Sequence, residues 1–166
     1  SNYGVYGPPF ELMERLPREE GSEEYLGSEK YEIRTWDLQH PDSLRGFLTQ
    51  INRIRRENPA LQGVGSLTFH PTQNENILCY SKRTPDRSNV VVVVVNLDPF
   101  HRQWTYVNLN LDELGLGAEE AYEVLDMLGG ETYTWRGAWN YVDLDPAWRP
   151  GHILVLKKRA GQAAPR

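Results

Sequence analysis

Six consecutive valines, Val90–Val95, constrain this chain more than any other stretch of it. A branched Cβ restricts χ1 in a helix and packs well on a pleated sheet, so the run favours a strand. Successive side chains of a strand point to opposite faces, and an unbroken apolar run therefore needs cover on both. Left open, such a segment is an aggregation hazard. The run predicts a central strand buried on both sides. Thr84-Pro85-Asp86-Arg87-Ser88-Asn89 precedes it as a turn, and Asn96-Leu97-Asp98-Pro99 stops it.

Around it lie further short apolar or alternating runs: Ser66–His70, Ile77–Arg83, Trp104–Leu109, Tyr122–Leu128, Thr132–Trp135, Tyr141–Leu144 and His152–Lys157. Asn74-Glu75-Asn76 and Gly129-Gly130 supply turns between them, and Leu111–Gly117 reads as a loop with a turn of helix. Regularly spaced strands with turn residues between them predict an antiparallel β-sandwich over residues 62–158. Residues 159–166 read as a disordered tail.

The front of the chain is different. Leu44, Phe47, Leu48, Ile51 and Ile54 recur at helical spacing after Pro41-Asp42-Ser43. Asp42 or Ser43 is placed to cap that helix. Asn58-Pro59 ends it, because proline disfavours α geometry in the residue before it. Ahead of the helix come a short strand expected to end near Tyr6, a Gly-Pro turn, and an acidic loop over Met13–Gly27 with a helical turn from Ser22. One strand and one helix cannot bury a core, so residues 1–61 read as part of a larger fold.

Charge and chemistry narrow the function. The net charge of −5 argues against nucleic acid as a partner, which needs clustered Lys and Arg. Arg53, Arg55 and Arg56 read as a solvated helix face. No apolar run is long enough to span a membrane. The single cysteine, Cys79, reads as a small packed residue and favours a reducing compartment. His40, His70, His101 and His152 are scattered without metal-ligand spacing and read as structural or surface groups. No metal or cofactor is expected. Asp126, Asp143 and Asp145 read as strand-end turn residues. Trp104, Trp135, Trp139 and Trp148 alternate with apolar residues, which assigns most of them to the core. The rival reading makes them the surface of a carbohydrate-binding β-sandwich without catalysis. Within Ser28–Arg34, Lys30 beside Tyr31 offers an anion one charge and one hydroxyl donor.

Three stretches carry a resemblance: Ser1–Leu12, Gly21–Tyr31 and Ile51–Leu61. It continues through Val94–Pro99, Tyr133–Gly137 and Asn140-Tyr141-Val142. Together they resemble the C-terminal part of the α-1,4-glucan:maltose-1-phosphate maltosyltransferases, a subgroup of the α-amylase superfamily. The resemblance implies a mainly β chain: a C-terminal antiparallel β-sandwich preceded by the last β/α unit of an incomplete (β/α)8 barrel. It implies a retaining transfer of maltosyl units from α-maltose 1-phosphate to the non-reducing end of an α-1,4-glucan, with release of phosphate. Lys30 and Tyr31 match the donor-phosphate contacts. The catalytic carboxylates lie on earlier barrel strands, so this chain contributes none and is expected to be inactive alone. A cytoplasmic homodimer is implied for the intact enzyme.

Overall fold

The computed structural model describes residues 7–26, 33 and 35–157. The chain divides into two units between Arg53 and Ile54. In the first, α1 spans Gly7–Glu11 where the sequence suggests a Gly-Pro turn; the strand expected up to Tyr6 lies outside the described residues. The acidic segment is a loop closed by an isolated bridge between Pro17 and Tyr25 and by the Arg18–Glu24 ion pair. Helix α2, Arg45–Glu57, is the predicted helix. Its start is capped by Ser43, whose Oγ accepts from the Arg45 N–H at 3.2 Å.

The last turn of α2 belongs to the second unit. Asn58 is extended, as its following proline demands, and a 3-10 turn follows at Pro59–Leu61. An amide relay anchors this corner. Asn89 donates to Asn58 Oδ1 at 3.0 Å and accepts from the Ala60 N–H at 3.0 Å.

Eight strands follow in order: β1 Thr68–His70, β2 Ile77–Arg83, β3 Val90–Asn96, β4 Gln103–Asn108, β5 Ala121–Asp126, β6 Thr132–Arg136, β7 Trp139–Leu144 and β8 Gly151–Lys157, with the short helix α3 at Leu111–Leu114. They form a six-stranded sheet, β1-β2-β3-β8-β5-β6, and a two-stranded sheet, β4-β7. Every pairing is antiparallel. The predicted mainly β, antiparallel architecture is therefore present.

The valine run is β3, near the middle of the large sheet, and its two faces do separate work. Val90, Val92 and Val94 pack into the main core with Ile77, Cys79, Val107, Leu109, Val124, Val142, Leu144 and Leu154. Val91 and Val93 face the other way, under Ala60 and beside Leu61, Tyr80, Ile153 and Val155. Cys79 is indeed packed, and burial pushes its thiol up to about 12.

The histidines are structural or at the surface. His70 is buried: its Nδ1 accepts from the Asn110 N–H at 3.2 Å, so Nε2 carries the proton toward Ser81 Oγ at 2.8 Å. His101 is exposed beside Asp98 at 2.9 Å.

Strand β8 meets β3 at a point where only glycine fits. Gly151 pairs with Val95, and a Cβ there would stand 2.8 Å from the Val94 carbonyl oxygen. Gly151→Ala should therefore cost about 1–3 kcal/mol of unfolding free energy in urea titrations, the usual range for forced overpacking. Gly63→Ala, which meets open space, should change it by less than about 0.5 kcal/mol.

Candidate functional site

Lys30 and Tyr31, the donor-phosphate candidates, lie outside the described residues, as do the neighbours that would complete Ser28–Arg34 except Ile33. The described residues place a different cluster of chemistry on the sandwich, and it begins with the phase of two strands.

In β4, Thr105 and Val107 point inward and Trp104 and Tyr106 outward. In β7, Asn140, Val142 and Leu144 point inward while Trp139, Tyr141 and Asp143 take the outer phase. This corrects the assignment of most tryptophans to the core. Trp135 is buried at 9% exposure, but Trp104 is 61% exposed, Trp139 50% and Trp148 69%. Asp143 shares the phase of Trp139 and Tyr141, and a carboxylate in a two-residue period marks the solvent face. That signal was present in the sequence and outweighs the hydrophobicity of the aromatic rings.

The outer aromatics form a contiguous surface. Register puts Tyr106 opposite Tyr141 and Trp104 opposite Asp143. The Tyr106 and Tyr141 rings meet edge to face, with centroids 5.5 Å apart, and Trp104 lies 6.3 Å from Tyr141.

Beside Tyr141 a cleft of about 400 Å³ opens between β6, β7 and the turn into β8. Trp135, Val142 and Leu154 line it from the core side; Tyr133, Tyr141 and Trp148 supply further aromatic wall. The turn is shaped by Asp145, which accepts from the Ala147 N–H at 2.9 Å and, through its carbonyl, from the Arg149 N–H at 2.7 Å. This is the turn role expected of Asp145. Asp126 shares it, its Oδ1 accepting from the Leu128 N–H at 3.1 Å at the end of β5, whereas Asp143 does other work.

Each guanidinium at the cleft is held by a carboxylate. Arg102 grips Asp143 with two bonds, 2.7 and 2.5 Å, which hold that carboxyl below its ordinary value and raise the arginine. Arg149 donates to Glu131 at 2.6 Å and to the Tyr133 hydroxyl at 2.8 Å, and its guanidinium lies 4.5 Å over the Trp148 ring. Behind them Asp126 is fully buried at the end of β5. Burial opposes its ionisation, but His152 Nδ1 at 2.8 Å and the Leu128 and Ile153 N–H groups outweigh that, so the carboxyl stays below its ordinary value.

The arrangement suits binding rather than bond-breaking. Asp143 and Glu131 are committed to arginines and Asp126 is sealed by its partners, so no carboxyl pair is presented as acid and base. Among the described residues no three His, Cys, Asp or Glu side chains converge as metal ligands. No helix among them is long and apolar enough to cross a membrane.

Two tryptophans at this cleft should separate structure from surface. Trp135→Ala should cost about 3–5 kcal/mol in chemical denaturation, as for other buried large side chains. Trp148→Ala should cost less than about 1 kcal/mol, because its ring is mostly in solvent.

Residues 69–156, more than half of the chain, match the family described as "GLGE, C-terminal". The chain is 42% identical over 160 residues to an α-1,4-glucan:maltose-1-phosphate maltosyltransferase of Chlorobaculum tepidum, covering 93% of this chain and 24% of that protein. It is 46% identical over 157 residues to the Salinibacter ruber enzyme of that name, covering 95% and 23%. The chain thus spans roughly a quarter of the length of the curated relatives it matches. Among solved structures, an AmyP variant in complex with maltotriose superposes with a TM-score of 0.58 at 15% identity, over 82% of this chain and 26% of that one. An α-amylase of Geobacillus thermoleovorans complexed with acarbose gives 0.58 at 16%, over 76% and 26%. At such identities the likeness establishes the fold alone, a mainly β, two-sheet antiparallel architecture. By its sequence match across the sandwich, the chain belongs to the GLGE C-terminal family.

Proposed function

We propose that the protein carrying this chain is a retaining maltosyltransferase. It moves maltosyl units from α-maltose 1-phosphate to the non-reducing end of α-1,4-glucans and releases phosphate. The observation that carries this is the agreement of the family match over residues 69–156 with 38–46% identity to enzymes of that name across nearly the whole chain. In this reading residues 1–61 complete the catalytic barrel, residues 62–158 are the sandwich beside it, and residues 159–166 are a tail. The enzyme works as a cytoplasmic homodimer.

Within it, Lys30 and Tyr31 hold the phosphate of the donor. An ammonium and a phenol both donate to phosphate oxygens, and they stabilise the group as it departs with negative charge. The nucleophile and the acid/base carboxyl come from other parts of the protein, so this chain alone turns over no substrate. The exposed tryptophans keep a second reading in play, a glucan-binding sandwich without catalysis.

Phosphate release from α-maltose 1-phosphate by the intact protein, dependent on an α-1,4-glucan acceptor, supports the enzyme; its absence in an otherwise folded, glucan-binding protein supports the binding module. In the intact enzyme Lys30→Ala should lower kcat/KM for α-maltose 1-phosphate by roughly 10- to 150-fold, the worth of about 1.5–3 kcal/mol for a hydrogen bond to a charged group. A maltosyl donor with a different leaving group should lose much less. Equal losses with both donors, or none with either, would remove Lys30 from the phosphate.

A further inference from the structure

We propose that the cleft between β6, β7 and the β7–β8 turn, together with the outer face of β4-β7, is an accessory binding site for a linear stretch of neutral α-1,4-glucan. The identity of the sugar rests on the maltosyltransferase reading; the site itself rests on geometry. Its volume of about 400 Å³ lies within the range of small-ligand sites, roughly 300–1,000 Å³. Aromatic rings line it with a few polar groups at the rim, the composition of such sites.

Charge selects the class of ligand. Arg102 is taken by Asp143, and Arg149 by Glu131 and Tyr133. An anion would meet arginines whose charge is already neutralised and the carboxylates of Asp143, Asp145 and Glu131 beside them, so phosphate is a poor occupant. A neutral polyhydroxylated ring faces no such cost. Its C–H faces fit against Tyr141 and Trp148, and its hydroxyls meet paired carboxylate and guanidinium edges that retain spare lone pairs and N–H groups.

Length selects a chain over a single sugar. From the cleft, Tyr141 leads to Trp104 at 6.3 Å, and Trp104 lines a second, more open depression with Thr72, Gln73, Asn74 and Glu75. The aromatics thus run as a track from Trp148 past Tyr141 to Trp104. Successive rings of this kind tolerate sliding of a repeating ligand, as base-stacking platforms do for single strands. A site of this kind would hold a long acceptor on the enzyme while its end is elsewhere.

The test is affinity electrophoresis of the intact protein through native gels containing glycogen, with dextran as the neutral control polymer. Loss of one stacking ring should raise the apparent Kd for glycogen by about fivefold or more in Trp148→Ala and again in Trp104→Ala, with thermal midpoints near that of the parent. Dextran should retard none of them. Glycogen affinities within twofold of the parent in both variants would overturn the proposal. So would equal retardation by dextran, or competition by inorganic phosphate in place of maltoheptaose. A fall in thermal midpoint without loss of glycogen affinity would also overturn it, and would make this face an internal contact with the rest of the protein. Phosphate release from α-maltose 1-phosphate is read separately: its failure sinks the enzyme and leaves the retardation result standing.

Discussion

Two-sided burial of β3 is the constraint on which the rest of the sandwich depends. Six valines in one strand leave no face for water, and each face recruits its own cover. On one side Val90, Val92 and Val94 meet β4 and β7 through Val107 and Val142. On the other, Val91 and Val93 hold Ala60, and with it the turn that closes α2. Neighbouring strands must approach closely, which is why Gly151 stands beside the Val94 carbonyl. Polar groups near this strand are accommodated by pairing: among the described residues no buried side-chain polar atom lacks a hydrogen-bond partner.

Much of this was legible from local chemistry. The valine run, the turn before it and Asn96 after it give β3 within a residue, because β-branched density and turn residues act locally. The helix over Arg45–Glu57 was equally plain from its spacing and from Pro59. Topology was not legible. The pairing of β4 with β7, and of β8 between β3 and β5, joins segments distant in sequence, and no local preference encodes which strand meets which. Strand ends shifted for a similar reason. The expected strand to Leu128 ends at Asp126, whose carboxylate claims the Leu128 N–H and His152 instead.

The tryptophans show how a site can be misread. Hydrophobicity assigns Trp104 and Trp139 to the core, yet the small inward residues Thr105 and Asn140 take that place with hydrogen bonds of their own. The Gln73 N–H donates to Thr105, and Asn140 donates to the Tyr122 hydroxyl. The period-two phase, read with Asp143, points the rings outward. The result is a sandwich with one ordinary core and one aromatic outer face. That face is electrically closed, with its arginines neutralised in place. The donor-phosphate role proposed for Lys30 and Tyr31 and the neutral glucan track proposed on β4-β7 would be complementary roles on separate units of the chain.

Burial on both faces makes β3 the most stable element of the sandwich and leaves the edge strand at the cleft wall to open locally, and hydrogen exchange on the intact protein reads that difference directly. Peptides covering Val90–Asn96 should exchange slowest of the sandwich, opening only with its global unfolding. Peptides covering the edge strand Thr132–Arg136 and the turn through Trp148 should exchange faster by local opening. Exchange in Val90–Asn96 as fast as in Thr132–Arg136 would contradict a fold organised around a strand buried on both faces.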